Sequence, residues 1–461
     1  MSLRYLYPLL LLVSIYSAYG NGSANWEQLG ESINGVSSFG HSVAISSDGQ
    51  KIAIGAPQGG LNNLISGLFK IYRLDTPNSL DWILEGSFSG EASGDGLGSS
   101  IAMNSDGTKI AVGAPYSDTN GVNSGSVKIY NLHNGNWTLS ATVFGDGASP
   151  FFGYSVTMNA EGTKIAVGTP YGNINGENSG LVKVYELING FSWEQIGSTL
   201  KGNTSDKYFG TSVAMNSAGS MVAIGSPEDS NEDGYVSIYH ISNNDWLLLD
   251  TVYSTEASYY FGRSLAIDSS GSTLAVGVPY SKTGPSSLQA KDQIFQLSNG
   301  SYNKFGNTII DHDGKSAGSI GSTNISLSPD GLTVAIGSER SGSRLNGHVR
   351  VYEKINSNWE QVGTDIDGSD YDWLGNSVSI SADGTRVVIG ASYSGYVKVM
   401  TTNLPRQLPL LQLDDFYENQ YGFSSNISAQ PVSGYPDTYT FQWYLNGNLI
   451  PAVFGGTNSS F

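Results

Sequence analysis

Short apolar stretches alternate with polar turns along most of this chain, in a pattern that recurs from residue 26 to residue 401. In the clearest copy, Leu97-Gly98 opens the unit and Ser105-Asp106-Gly107 forms a polar break. A near-continuous apolar run over 110–115 follows, and a Gly-Ser-Val-Lys-Ile-Tyr stretch over 125–130 leads to Trp137. Apolar runs of this length, bounded by turn residues, predict β-strands. Each unit therefore predicts four short strands.

Two series of glycines count the units. Asp-Gly turns such as Asp48-Gly49 predict tight hairpins in which glycine adopts a positive φ. The glycines of the opening step are Gly40, Gly98, Gly153, Gly210, Gly262, Gly321 and Gly375, and those of the turns are Gly49, Gly107, Gly162, Gly219, Gly271, Gly331 and Gly384. A four-stranded unit repeated about every 56 residues is typical of a propeller blade. The sequence therefore predicts an all-β, seven-bladed β-propeller with four-stranded antiparallel blades.

The end of the repeat region indicates how the ring closes. The seventh unit has no Trp-containing strand after it, and Pro405 and Pro409 follow instead. Residues 26–30 read Trp-Glu-Gln-Leu-Gly before the first unit and closely match 193–197 and 359–363. We expect this N-terminal strand to supply the outer strand of the last blade, which removes a free sheet edge.

Composition narrows the range of functions. The net charge of −18 argues against a nucleic-acid partner, which needs clustered Lys and Arg, and leaves cation binding by acidic loops open. The chain has no cysteine, so it can form neither disulfides nor thiolate metal sites. No phosphate-binding loop or nucleophile elbow appears, and the scattered histidines select no catalytic residue.

The chain divides into four predicted segments. Residues 1–20 have the basic start, apolar run and small residues of a signal peptide, so we expect an exported protein with no membrane span after cleavage. The propeller covers 21–401, and 402–415 is a proline-containing linker. Residues 416–461 include Phe441-Gln442-Trp443-Tyr444, which resembles the Trp-bearing strand of an immunoglobulin-like module and predicts a partial β-sandwich. This suggests a fragment of a longer modular protein.

The repeat resembles the FG-GAP repeat of integrin α-subunit propellers. The resemblance is carried by Phe39-Gly40 with 55–57, Phe152-Gly153 with 168–170, and Phe209-Gly210 with 225–227, and is weaker in the last two units. It implies a secreted or cell-surface protein that serves adhesion, ligand recognition or scaffolding. Repeats of this family often hold calcium in the loop between the first two strands. Here that loop is reduced to short turns such as Ser47-Asp48-Gly49-Gln50, too poor in oxygen ligands for a calcium cage.

Strand alternation places the tight Asp-Gly turns on one face of the ring and the longer, variable loops on the other, where we expect a ligand to bind. Aromatic and acidic residues are the candidates, because flat rings stack on apolar ligand faces. The candidate ligand-binding residues are Tyr116, Asp118, Tyr171, Tyr208, Tyr259, Tyr280, Asp370 and Trp373. Asp229, Asn231 and Asp233 have the alternate oxygen ligands of a calcium loop, so calcium is a candidate cofactor, and a solvated turn is the alternative.

These features favour a non-enzymatic recognition or adhesion module whose partner is an extracellular protein or a glycan. The alternatives are a carbohydrate-active or other hydrolytic propeller enzyme and a structural spacer in a larger surface protein; oligomeric state is left open. In a eukaryotic host, sequons predict glycosylation at Asn136, Asn203, Asn299, Asn324 and Asn426.

Overall fold

The computed structural model describes residues 25–402, with gaps at 61–64, 77–78, 148–149, 204–206, 228–233, 257, 282–289, 311–323 and 342–343, and the backbone of 427–433, 440–445 and 448–449. Within these residues every helix or strand assigned is a β-strand. Seven antiparallel sheets form the blades of a ring. The inner strand of each blade contacts the inner strands of both neighbours, and blade 7 contacts blade 1. The predicted all-β, seven-bladed propeller is confirmed.

The first two strands of each blade carry the repeat's most apolar sequence. The inner strands, in blade order, are Ser42–Ile45, Ser100–Met103, Ser155–Met158, Ser212–Met215, Ser264–Ile267, Asn324–Leu327 and Leu374–Ile380. The second strands are Lys51–Ala56, Lys109–Ala114, Lys164–Thr169, Met221–Ser226, Thr273–Gly277, Thr333–Ser338 and Arg386–Ala391. The seven turn glycines between them all have positive φ, from 64° to 82°, as the sequence predicts.

The third and outer strands complete the blades. The third strands are Leu68–Leu74, Ser126–His133, Leu181–Ile188, Tyr235–Ser242, Lys291–Ser298, His348–Ile355 and Tyr396–Thr401. In blades 1, 2 and 4 the outer strand is continuous, over Trp82–Ser89, Asn136–Phe144 and Asp245–Tyr253. In blades 3, 5 and 6 it is split into Ser192–Gln195 with Leu200–Lys201, Ser301–Lys304 with Ile309–Ile310, and Asn358–Gln361 with Ile366–Asp367. The continuous outer strands of blades 1, 2 and 4 each contain a bulge or irregularity in register. Splits and bulges both limit edge-to-edge association of exposed outer strands.

The N-terminal segment closes the ring, as the Trp-Glu-Gln-Leu-Gly match predicts. Glu27–Gln28 and Ile33–Asn34 pair antiparallel with the third strand of blade 7. The indole of Trp26 is buried and its Nε1 donates to the Val362 carbonyl of blade 6 at 3.0 Å. On the other side, the Leu29 carbonyl accepts from Trp82 Nε1 of blade 1 at 3.2 Å. The segment therefore joins blade 7 to both of its neighbours.

The hydrophobic core lies between the blades. Each of seven buried clusters draws side chains from two neighbouring blades, so each blade is stabilised by the pair beside it. The Phe residues of the Phe-Gly step fill these interfaces and are at most 1% exposed: Phe39, Phe152, Phe209 and Phe261. The Phe-Gly step therefore supplies a packing residue to the interface between blades.

The glycines of the two motifs meet across each interface. A Cβ on Gly113 would lie 2.0 Å from the Gly153 carbonyl oxygen of the next blade, and a Cβ on Gly168 would lie 2.1 Å from that of Gly210. Only glycine fits such an approach. The hydroxyl of Ser100 also donates to the Gly153 carbonyl at 2.8 Å. These glycines therefore recur in the sequence because the backbones of neighbouring blades pack directly against each other.

On the face with the Asp-Gly turns, here called the lower face, backbone hydrogen bonds join neighbouring blades around the centre of the ring. Backbone N–H groups at one position donate to the equivalent carbonyl of the next blade, as from Ser47 to Ser105 at 2.9 Å and from Ser105 to Ala160 at 3.0 Å. Pro329 occupies this position in blade 6 and has no N–H to donate. Apolar side chains including Ile45, Met103 and Met158 line a cavity of about 170 Å³ next to this circle of hydrogen bonds.

Two small sheets lie outside the blades. Ser258–Tyr259 pairs with Tyr280–Ser281 at the blade 4–5 connection. In the C-terminal part, Ile427–Ser433, Thr440–Leu445 and Asn448–Leu449 form a three-stranded antiparallel sheet. The predicted immunoglobulin-like module remains a prediction, since much of 416–461 falls outside the described residues.

Candidate ligand-binding site

The face opposite the Asp-Gly turns, here called the upper face, carries the loops after the second and outer strands. Gly113 belongs to the Gly-Ala-Pro motif (113–115) at the end of the second strand of blade 2, and it packs against Gly153 of the Phe-Gly step of blade 3. This packing brings the residue after Gly-Ala-Pro on one blade beside the residue before Phe-Gly on the next. Tyr116 of blade 2 thus meets Phe151 of blade 3, and their ring centroids are 5.4 Å apart. The two motif ends form a circular series of adjacent positions on this face.

In blades 2 to 4 these positions hold Tyr116, Phe151, Tyr171 and Tyr208. Together with Tyr154, which follows the Phe-Gly step of blade 3, they form a continuous row of rings that we call the aromatic arc. Centroids are 5.1 Å apart for Phe151 and Tyr171 and 5.5 Å for Tyr171 and Tyr208. Tyr154 meets Tyr171 at 5.9 Å. All four contacts are edge-to-face, a geometry that adds about 0.5–1.5 kcal/mol per pair. Tyr116 is 45% exposed and the other rings are half-buried, so the arc is accessible.

The residue before Phe-Gly is held in a left-handed backbone conformation in every blade where the structure describes it. The φ values are 65° at Phe151, 49° at Tyr208, 62° at Tyr260 and 55° at Trp373, and Ser38 and Gly96 take the same conformation in blades 1 and 2. A bulky side chain there is an outlier, because its Cβ crowds the following carbonyl. Four blades keep an aromatic residue at a position that glycine would occupy without strain. Strain of this kind clusters at functional sites.

The loops after Gly-Ala-Pro hold the strained residues in place. The Asn123 carbonyl accepts from the Phe151 N–H at 2.7 Å, and the Asn178 carbonyl accepts from the Tyr208 N–H at 3.1 Å. The first loop is fixed in turn by Asp118, whose Oδ1 accepts from the Asn123 N–H at 2.7 Å. Asn173 serves the second loop in the same way. Asp118 therefore helps to position the arc through one of its two carboxylate oxygens.

Two phenols of the arc have a raised pKa. Burial raises the pKa of Tyr116 and of Tyr171, and neighbouring tyrosines raise both pKa values further. The positive charge of Arg263 in blade 5 lowers the pKa of Tyr171, against these effects. At physiological pH Tyr116 and Tyr171 thus offer uncharged rings and hydroxyls, and the Arg263 guanidinium lies within electrostatic range of Tyr171.

A second aromatic group lies on blades 6 and 7. The rings of Trp373 and Tyr393 stack with centroids 4.9 Å apart and planes 27° apart, and the Arg340 guanidinium lies 4.3 Å from the Trp373 centroid. Asp370 accepts a hydrogen bond from Arg344. Asp370 is therefore engaged in an ion pair beside this group.

The structure thus brings together three of the predicted binding residues, Tyr116, Tyr171 and Tyr208. Trp373 and Asp370 lie in the second group, and the strands of Tyr259 and Tyr280 pair directly with each other. The candidate list omitted Phe151 and Tyr154, which complete the arc. Reading the positions on either side of Phe-Gly in register across the repeats would have found both.

The other predicted sites are placed as follows. Asn136, Asn203 and Asn299 are exposed, whereas the Asn324 amide lies between blades and donates to the Asn376 carbonyl, a position that favours a structural role. Asn426 and the calcium candidates Asp229, Asn231 and Asp233 lie outside the described residues. In the part of the chain that is described, no group of three or more His, Cys, Asp or Glu side chains could hold a metal ion.

Comparison with known proteins agrees with the fold. A sequence model described as the FG-GAP repeat matches residues 89–130, which run from the end of blade 1 to the third strand of blade 2. Hydrazine synthase of Kuenenia stuttgartiensis superposes with a TM-score of 0.55 at 12% identity, over 81% of this chain and 98% of that one, a likeness of fold alone. No helix among the described residues is long and apolar enough to cross a membrane. The repeat match and the ring of seven blades together support an FG-GAP β-propeller.

Proposed function

We propose that this protein is a secreted or cell-surface recognition module that binds an extracellular protein or glycan through the aromatic arc. The observation that carries the proposal is the row of accessible rings, two of which, Phe151 and Tyr208, are held at strained φ values of 65° and 49°. Accessible aromatic residues with few rotatable bonds supply contact area at low entropic cost. Loops on a rigid scaffold are where recognition usually resides.

Export is part of the same proposal. Residues 1–20 supply the signal peptide, and the cysteine-free chain depends on ring closure rather than disulfides for its stability. The expected mature N-terminus is Asn21. N-terminal sequencing of the protein recovered from culture medium tests this, and retention of Met1 in the exported form would contradict it.

The proposed role is non-enzymatic. A hydroxyl–imidazole pair does occur in blade 6, where Ser341 Oγ lies 2.5 Å from His348 Nδ1. Both residues are 3% exposed, and the Ser341 hydroxyl donates to the Ser338 carbonyl at 2.9 Å. With the hydroxyl proton on that bond, Ser341 Oγ accepts from the His348 Nδ1–H, and both side chains are buried. This geometry favours a structural role in the loop.

The test is a binding screen of the full-length chain against arrays of glycans and extracellular proteins. A Tyr116→Ala/Tyr171→Ala variant should bind the ligands found at least about tenfold more weakly, because buried aromatic anchors dominate recognition. Tyr253→Ala is the matched control, since Tyr253 is 59% exposed on the outer strand of blade 4, away from the arc. Unchanged binding by a folded arc variant would overturn the proposal.

A further inference from the structure

Arg263 lies at the start of the inner strand of blade 5, the blade that follows the one carrying Tyr208 of the aromatic arc. It follows Gly262 and precedes the inner strand Ser264–Ile267, the register that Tyr154 has in blade 3. The backbone turns match, because the Arg263 N–H donates to the Tyr260 carbonyl at 3.0 Å and the Tyr154 N–H to that of Phe151 at 3.1 Å. The Tyr154 side chain meets Tyr171 of the arc, and the charge of Arg263 acts on the same Tyr171.

The Arg263 guanidinium is exposed and has no ion pair, hydrogen bond or ring contact with the described residues. Every other arginine in the described part of the chain has such a partner. Arg350 pairs with Asp365 at 2.7 Å, Arg344 pairs with Asp370, and Arg386 donates to the Gly49 carbonyl at 2.9 Å. Arg73 lies 3.8 Å from Glu85, and Arg340 stacks on Trp373. A guanidinium left open beside accessible rings is available to a ligand.

We propose that Arg263 binds the carboxylate of an acidic carbohydrate, such as a uronic or sialic acid residue, while the aromatic arc stacks on the adjoining sugar rings. The inference rests on the proposed function of the upper face and specifies its ligand. A guanidinium presents parallel donors that match the two oxygens of a carboxylate.

The acidic net charge does not oppose this assignment. Charges more than about 8 Å away are largely screened at physiological ionic strength, so the net charge of the whole chain acts only weakly on a ligand at Arg263. A cationic ligand would meet like-charge repulsion from Arg263.

A carbohydrate fits the arc better than an acidic peptide. The hydroxyls of Tyr116, Tyr154 and Tyr171 make no hydrogen bond to the described residues, so they are available to bond a ligand that stacks on the rings. A sugar presents both an apolar C–H face and hydroxyl groups, which match rings and phenols together.

The experiment uses the full-length chain on an array that prints acidic glycans beside the same glycans with the carboxylate esterified or removed. Binding should favour the free carboxylates and weaken between 0.05 and about 0.5 M salt. In solution, Arg263→Gln should weaken the best acidic glycan by about 10- to 100-fold, the effect of losing a charge-assisted hydrogen-bonded pair. Arg263→Lys should fall between the two. Arg344→Gln, an arginine of the same face that pairs with Asp370, should leave affinity unchanged.

Different failures lead to different conclusions. Equal binding to free and esterified glycans, binding to acidic peptides alone, or full affinity in Arg263→Gln would overturn this inference. If the protein bound an esterified glycan or an acidic peptide and Tyr116→Ala/Tyr171→Ala abolished that binding, the proposed recognition function of the arc would stand. If both the arc variant and Arg263→Gln bound as the wild type does, both proposals would fall.

Discussion

The lower and upper faces need the same backbone conformation and meet that need with different residues. All seven turns of the lower face place glycine at φ between 64° and 82°. On the upper face, the position before Phe-Gly has φ between 49° and 69°, yet glycine occupies it only at Gly96 among the six blades described there. The lower face uses the residue without strain, whereas the upper face keeps a side chain despite it. On the lower face glycine meets the backbone requirement of the turn. On the upper face four blades keep an aromatic side chain at the position before Phe-Gly, although the backbone there is strained.

A parallel contrast separates two sets of tyrosines. Tyr130 and Tyr185 lie in the blade interfaces and are 4% and 8% exposed, whereas Tyr116 and Tyr171 stand on the upper face. The first pair recurs in register on the third strand, as packing demands. The second pair follows the Gly-Ala-Pro motif and contacts the rest of the arc. Residue type alone does not distinguish these roles; position within the repeat does.

The largest expected effect tests the interior tyrosines at alkaline pH. Burial, assisted by Glu91 and by Asp146 respectively, raises the pKa of Tyr130 and of Tyr185 to about 12. The unfolded chain ionises these phenols from about pH 10, so stability is intact below pH 10 and is lost as pH rises toward 12, by about 2–3 kcal/mol per residue. Unfolding followed by denaturant at pH 9, 10 and 11 measures this. A Tyr130→Phe/Tyr185→Phe variant should lose less stability over that range, and an identical pH profile would contradict the assignment.

A smaller effect tests whether the lower face needs glycine for its backbone. Gly162→Ala should destabilise the protein by about 1–2 kcal/mol, because an L-residue is strained at a φ of 66°. The added Cβ would also lie 2.7 Å from Lys109 Cδ and 3.1 Å from Asn104 Cβ, so crowding adds to this cost. Chemical denaturation gives the value, and ligand affinity should not change. A neutral result would remove the basis for contrasting the two faces.

The smallest stability effect, paired with a loss of affinity, is expected on the upper face. Tyr208→Gly relieves strain at a φ of 49° but removes the contact with Tyr171, so stability should stay within about 1 kcal/mol of wild type. Binding should nevertheless fall about tenfold or more. Ser38→Gly is the matched control at the equivalent position of blade 1 and should leave binding intact. A Tyr208→Gly protein that binds normally would show that the strain serves packing instead.

The sequence by itself determined the ring. The recurrence of Phe-Gly, Asp-Gly and Gly-Ala-Pro set the number of blades, and the match of residues 26–30 to 193–197 predicted closure by the N-terminal strand. These conclusions follow from local pattern, because turn glycines and apolar runs specify strands and hairpins wherever they occur. The same reasoning identified Tyr116, Tyr171 and Tyr208 as loop candidates without showing that they touch.

Only the tertiary structure decided what those residues do. Tyr116 and Phe151 meet because Gly113 packs against Gly153 of the next blade, a contact between residues far apart in the chain. The strained φ of Tyr208 depends on the Asn178 carbonyl of the preceding blade. Asp118 is a candidate ligand-binding residue by sequence, and only the structure shows that it also holds the loop by accepting a hydrogen bond from the Asn123 N–H. Composition and periodicity specify the strands within a blade, but packing between blades determines which loop residues form one surface.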